Sequence, residues 1–106
     1  TMSSVEMLPE IVEAVNENCE VYLDSGVRRG SDVLKALALG AKAVGVGRPL
    51  YWGLANDGAD GVHGVLELLR REFDHAMAVC GQTSATNLES NLINIPYNWG
   101  PARMAP

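Results

Sequence analysis

Two short stretches carry residue types that could hold an anion: Asp24-Ser25-Gly26-Val27-Arg28-Arg29-Gly30 and, further on, Gly45-Val46-Gly47-Arg48-Pro49. Each joins a β-branched run, through a Gly/Arg turn, to what reads as the start of a helix. Side by side, two such strand ends would surround one anion with backbone N–H groups, helix N-termini and two arginines. The expected donors are the N–H groups near Ser25, Gly26 and Gly47 and the forked guanidiniums of Arg28 and Arg48. Charge-assisted bonds contribute about 1.5–3 kcal/mol each, so four or five would hold a phosphate even on an acidic chain.

The formal net charge is −5 over 106 residues. That field repels phosphodiester backbones, and no basic run opposes it, so nucleic acid is not an expected partner. No apolar run approaches the roughly 18 residues of a spanning helix, and the first residues lack a basic region followed by an apolar core, so no membrane partner is expected either. Cys19 and Cys80 lack metal-ligand spacing and read as buried or half-buried thiols in a reducing compartment. The cytoplasm is the expected location, with peroxisome or mitochondrion still open, although the terminal Met104-Ala-Pro is not a peroxisomal address. No metal site is expected.

The elements that must position the two stretches follow from periodicity. Leu8, Ile11, Val12 and Val15 recur at helical spacing, with Pro9 expected in the first turn and the helix stopping in Asn16-Glu17-Asn18. Glu20 to Asp24 reads as a strand covered on both faces. A helix follows Gly30, capped by Ser31 or Asp32, with Val33, Leu34, Leu37 and Ala38 as its apolar stripe up to Gly40. Ala41 to Val46 reads as a second strand, parallel to the first across a βαβ unit. Gly45 is an odd choice for a strand interior.

After Pro49, Leu50 to Ala55 reads as a short helix broken at Asn56-Asp57-Gly58. A long helix then carries Val62, Val65, Leu66, Leu69, Phe73, Ala76, Met77 and Cys80 on one stripe and ends at Gly81. A minor helical piece is expected over Thr86 to Ser90, capped by Ser84 or Thr86. Residues 91–106, with Pro96, Pro101 and Pro106, are expected to form an irregular tail. The fold class is α/β. The length suits one small core and falls short of the roughly 250 residues of a closed (β/α)8 barrel. In such barrels the loops after the last two strands and a short extra helix often hold a phosphate, and the segment after Pro49 has the right length for that helix.

The run from Asp24 through Pro49 also resembles the C-terminal signature of the FMN-dependent 2-hydroxy acid dehydrogenases and oxidases, the group of glycolate oxidase, lactate oxidase and flavocytochrome b2. The resemblance extends over residues 5–88, through Leu8-Pro-Glu-Ile-Val, Trp52-Gly-Leu-Ala, Glu72-Phe and Ala76-Met-Ala. It implies that residues 1–90 are the last two βα units of a TIM barrel and that the parent oxidises a small 2-hydroxy acid to the 2-keto acid. It further implies that Asp24, Ser25, Gly26, Val27, Arg28, Gly47 and Arg48 hold the FMN phosphate. The family's proton-accepting His and carboxylate-pairing Arg, in a His-Gly-Gly-Arg-Gln-Leu-Asp motif, are absent here. The chain, beginning at Thr1, therefore reads as the last part of a larger protein, with no catalytic residue of its own.

Other readings remain open at this point. Another FMN barrel, such as a type 2 isopentenyl diphosphate isomerase, would also hold phosphate between its last two strands. A truncated, non-catalytic fragment that binds phosphate or assembles with a partner is a third possibility. His63 and His75 read as solvated or hydrogen-bonded, Arg29 as a surface or salt-bridged residue, and Tyr51 and Trp52 as packing residues. Asp24 either caps its turn or orients Arg28, or else touches the cofactor. Two strands alone leave two open edges, so the chain is expected to need its missing part or a second copy, making a homo-oligomer the expected state.

Overall fold

A computed structural model of the chain describes residues 2–99; Gly100, Pro101 and Pro106 of the expected tail lie outside the described residues. The first helix, α1, spans Ser4–Val15. It starts earlier than its apolar spacing suggested, so Pro9 falls in the second turn and leaves the Val5 carbonyl without its usual helical donor. Asn16 ends it in the left-handed region at φ 47°, its N–H bonding back to the Val12 carbonyl at 3.2 Å. Leu8 is the most deeply buried large side chain, whereas Ile11 is exposed, so the buried stripe is narrower than the periodicity implied.

Strand β1 (Tyr22–Leu23), helix α2 (Gly30–Ala38) and strand β2 (Ala43–Val44) form the βαβ unit, with parallel pairing that sets Tyr22 opposite Ala43 and Leu23 opposite Val44. The strands are shorter than expected, extended only by the Lys42 N–H to the Val21 carbonyl and the Gly45 N–H to the Leu23 carbonyl, both 2.8 Å. Leu23 joins Leu8, Val27, Ala36, Leu39 and Ala41 in the core. Tyr22, on the opposite pleat, is 67% exposed. The expectation of a strand covered on both faces therefore fails: helices cover one face of the sheet only, and successive side chains alternate between the two.

Helix α3 (Arg48–Val79) begins two residues before the expected start and has two limbs, 48–56 and 59–79, joined at Asp57 and Gly58, whose backbone leaves the helical region. The limbs fold back closely enough that a Cβ on Gly53 or on Gly61 would run into the other's backbone. The second limb packs on α2, and Gly30 is the point of closest approach: a Cβ there would strike the backbone of Glu72 and Phe73. Leu69 is buried, but Leu66, expected on the same stripe, is 48% exposed, left uncovered among the described residues. Gly81 ends α3 with φ 71°.

Two 3-10 turns follow, Ala85–Asn87 and Ser90–Leu92. The first is capped by the Ser84 hydroxyl, which accepts the Thr86 N–H at 3.3 Å. Beyond Leu92 the described tail has no regular element, yet Ile93 and Ile95 lie against the core. No helix among the described residues is long and apolar enough to cross a membrane. Cys19 is exposed rather than buried, and Cys80 is half-buried; both are free thiols.

Candidate functional site

The β1–α2 and β2–α3 junctions lie side by side because their strands pair in parallel, which brings both loops to one end of the sheet. Between them is a cavity of about 400 Å³ lined by Asp24, Ser25, Gly26, Val27, Arg28, Gly45, Val46, Gly47, Arg48 and Pro49. All seven residues singled out in the sequence are therefore in its wall. Val27 is both a wall residue and a member of the buried core. Gly45 has its explanation here: a Cβ would come to 3.1 Å from the Asp24 Cβ, so glycine is what lets the two strand ends approach.

The donor set has a definite sign. Ser25 and Gly26 both take left-handed backbone, at φ 75° and 79°. Among the described residues no group accepts the N–H of Ser25, Gly26 or Gly47. Neither Arg28 nor Arg48 pairs with a carboxylate among the described residues, whereas Arg29 and Arg70 do. Asp24 thus does not orient Arg28 through an ion pair. Arg28 instead sits over Trp52, its guanidinium carbon 5.7 Å from the ring centroid, and the exposed Trp52 serves as a platform rather than as buried packing. Tyr51 is exposed as well.

The two helix N-termini differ in how many of their donors are already taken. At the start of α2, the Asp32 carboxylate accepts the N–H groups of Arg28 (3.1 Å) and Arg29 (3.0 Å). The Glu72 carboxylate accepts the N–H of Gly30 at 2.8 Å and pairs with the Arg29 guanidinium at 2.9 Å. Those donors are spent on carboxylates of the chain itself, and the start of α3 at Gly47 and Arg48 is what remains. Arg29 is therefore the salt-bridged residue expected of it, turned away from the cavity.

The guanidinium of Arg29, and next the Gly30 N–H, hold the Glu72 carboxyl below its ordinary value of 4.5. A carboxyl lowered by folding stabilises the fold above its unfolded value, and that contribution is lost as pH falls through the lowered one. Glu72→Gln is accordingly expected to be less stable than the parent at neutral pH. The gap should close in denaturant titrations carried down through the acid range, and a gap that stayed constant with pH would contradict the assignment.

Residues that the sequence did not single out also shape the site. Glu72 stood within the recognisable stretch, but its partner lies far away in sequence. Ser4 donates its hydroxyl to the Asp24 carbonyl oxygen at 2.7 Å, and the Ser25 carbonyl oxygen is 3.3 Å from the same hydroxyl. His63 and His75 are exposed on α3 and do not line the cavity.

A model of the FMN-dependent dehydrogenase family matches residues 1–95. The chain belongs to that family. Human (Homo sapiens) 2-hydroxyacid oxidase 1 is 56% identical over 91 residues, which is 86% of this chain and 25% of the relative. Pre-mycofactocin synthase of Mycolicibacterium smegmatis is 45% identical over 106 residues, all of this chain and 27% of the relative. Among solved structures, a mandelate oxidase with a monooxide FMN adduct superposes with a TM-score of 0.77 at 54% identity, covering 80% of this chain and 27% of that one. The chain thus spans about a quarter of the length of the curated relatives it matches. FMN is the cofactor of this family, and membership does not favour the isomerase alternative.

Proposed function

We propose that the cavity between the two junctions holds the phosphate of FMN, and that this chain is the phosphate-binding end of a (β/α)8 barrel that oxidises a 2-hydroxy acid to the 2-keto acid. The observation that carries the proposal is the meeting of two carboxylate-free guanidiniums with the open N–H groups of Ser25, Gly26 and Gly47 in one cavity wall. Among the described residues, chain neighbours aside, nothing stands within 4 Å of a Cβ built on Gly26 or Gly47, so open space adjoins both backbone positions. Arg28 and Arg48 supply the charge and Gly47 the helix N-terminus. Asp24, whose carboxylate would repel a phosphate, suits the hydroxyl-bearing part of the cofactor.

When bound, the flavin accepts the two electrons removed from the hydroxyl-bearing carbon of the substrate. The chain's own share is to anchor the cofactor's charged end. Neither histidine reaches the cavity, so the proton acceptor belongs to another part of the parent. Residues 1–90 are the barrel segment in this reading, and residues 91–106 its irregular tail. The cytoplasm is the location that the two free thiols suit.

The accessible surface, 7286 Å², is well above the roughly 5,700 Å² typical of a folded monomer of this mass. We therefore expect the rest of the parent, or a second copy, to cover the sheet face that bears Tyr22. The chain alone should elute as a self-associated species on gel filtration. The parent protein should purify yellow, bind FMN more tightly than riboflavin, and reduce its flavin with a 2-hydroxy acid such as lactate, glycolate or mandelate. A preparation that stayed colourless with added FMN would overturn the reading and leave the non-catalytic fragment in its place.

One observation favours a second reading of the reaction. The alignment with pre-mycofactocin synthase runs through all 106 residues, tail included, whereas that with human 2-hydroxyacid oxidase 1 spans 91. In this reading the parent would use the same phosphate site, and a flavin that lactate, glycolate and mandelate all failed to reduce would favour it.

A further inference from the structure

We infer that Ser4 is a positioning residue for the phosphate loop, aiming the N–H groups of Ser25 and Gly26 into the cavity from the opposite side of the loop. The inference rests on the flavin-phosphate reading above. Ser4 does not line the phosphate cavity; it lines a second, largely apolar hollow of about 800 Å³ between α1, α2 and the tail. Ser25, Gly26 and Val27 line both, so the loop is a thin wall between them.

The Ser4 hydroxyl holds the Asp24 carbonyl at 2.7 Å, with the Ser25 carbonyl 3.3 Å away. No peptide bond of the loop is cis. In a trans peptide the C=O and the N–H of the next residue point in opposite directions. Drawing the Asp24 and Ser25 carbonyls towards α1 therefore turns the Ser25 and Gly26 N–H groups away from it, to the phosphate side. The same contact offsets the cost of a left-handed backbone at Ser25, a residue that does not adopt φ 75° freely. α1 thus acts on a cavity that it does not line, through one side chain at its first position.

Thr and Val have nearly the same shape and differ by the hydroxyl, so the pair Ser4→Thr and Ser4→Val in the parent protein isolates the bond. FMN and riboflavin affinities, read from flavin fluorescence, separate the phosphate from the rest of the cofactor. Ser4→Thr should keep the parent's preference for FMN over riboflavin. Ser4→Val should lose about five- to tenfold of that preference, with riboflavin affinity unchanged. Equal preferences in the two variants would overturn the role of Ser4 while leaving the phosphate site intact. A parent that bound riboflavin as tightly as FMN would instead overturn the site. Should Ser4→Val and Ser4→Ala both fail to fold where Ser4→Thr folds, the hydroxyl is structural and the inference falls.

Discussion

Arg48→Gln is expected to weaken FMN binding by about 10- to 100-fold while leaving riboflavin binding unchanged, the loss of one charge-assisted contact to a phosphate. Arg48 stands at the first position of α3 and among the described residues has no carboxylate to share its charge. Its replacement removes a forked donor and leaves the backbone N–H groups in place. Arg28→Gln should act in the same sense, through a guanidinium steadied by Trp52. Titration of apo-protein with each flavin measures both variants. Equal losses for FMN and riboflavin would mean that the arginines support the fold rather than the phosphate.

Gly30→Ala is expected to destabilise the protein by about 1–3 kcal/mol or more, the usual cost of forcing a methyl into a filled contact. The added carbon would meet the backbone of Glu72 and Phe73, which cannot swing aside as the tip of a side chain can. Relief requires α2 and the second limb of α3 to move apart, which stretches the Glu72 contacts to Arg29 and to the Gly30 N–H. Arg28, two residues before Gly30, would move with them, so FMN affinity should fall as well. Denaturant unfolding measures the first effect and flavin titration the second. A variant as stable as the parent would show that the two helices do not meet closely at Gly30.

The cavity between the two junctions was legible in the sequence because its walls are local: Ser25, Gly26, Gly47 and the two arginines lie at two parallel strand ends. The break at Asn56 to Gly58 was legible for the same reason, since a residue such as Gly58 takes a backbone that few others adopt. What escaped the sequence is contact at a distance. The partnership of Arg29 with Glu72 and that of Ser4 with the Asp24–Ser25 peptides join residues on different elements, and neither leaves a periodicity or a spacing to read. The start of α2 was expected to help hold the anion, but Asp32 and Glu72 already occupy its donors.

By itself, then, the chain's order of residues determined the βαβ unit, the two glycine- and arginine-bearing turns and the family to which they belong, because each is written in neighbouring residues. Only the tertiary structure decided which N–H groups stay open, which arginine is already paired, and which face of the sheet is left bare. Those depend on which side chains arrive from elsewhere in the chain, and hydrogen-bond donors and charges are satisfied by proximity in space rather than in sequence.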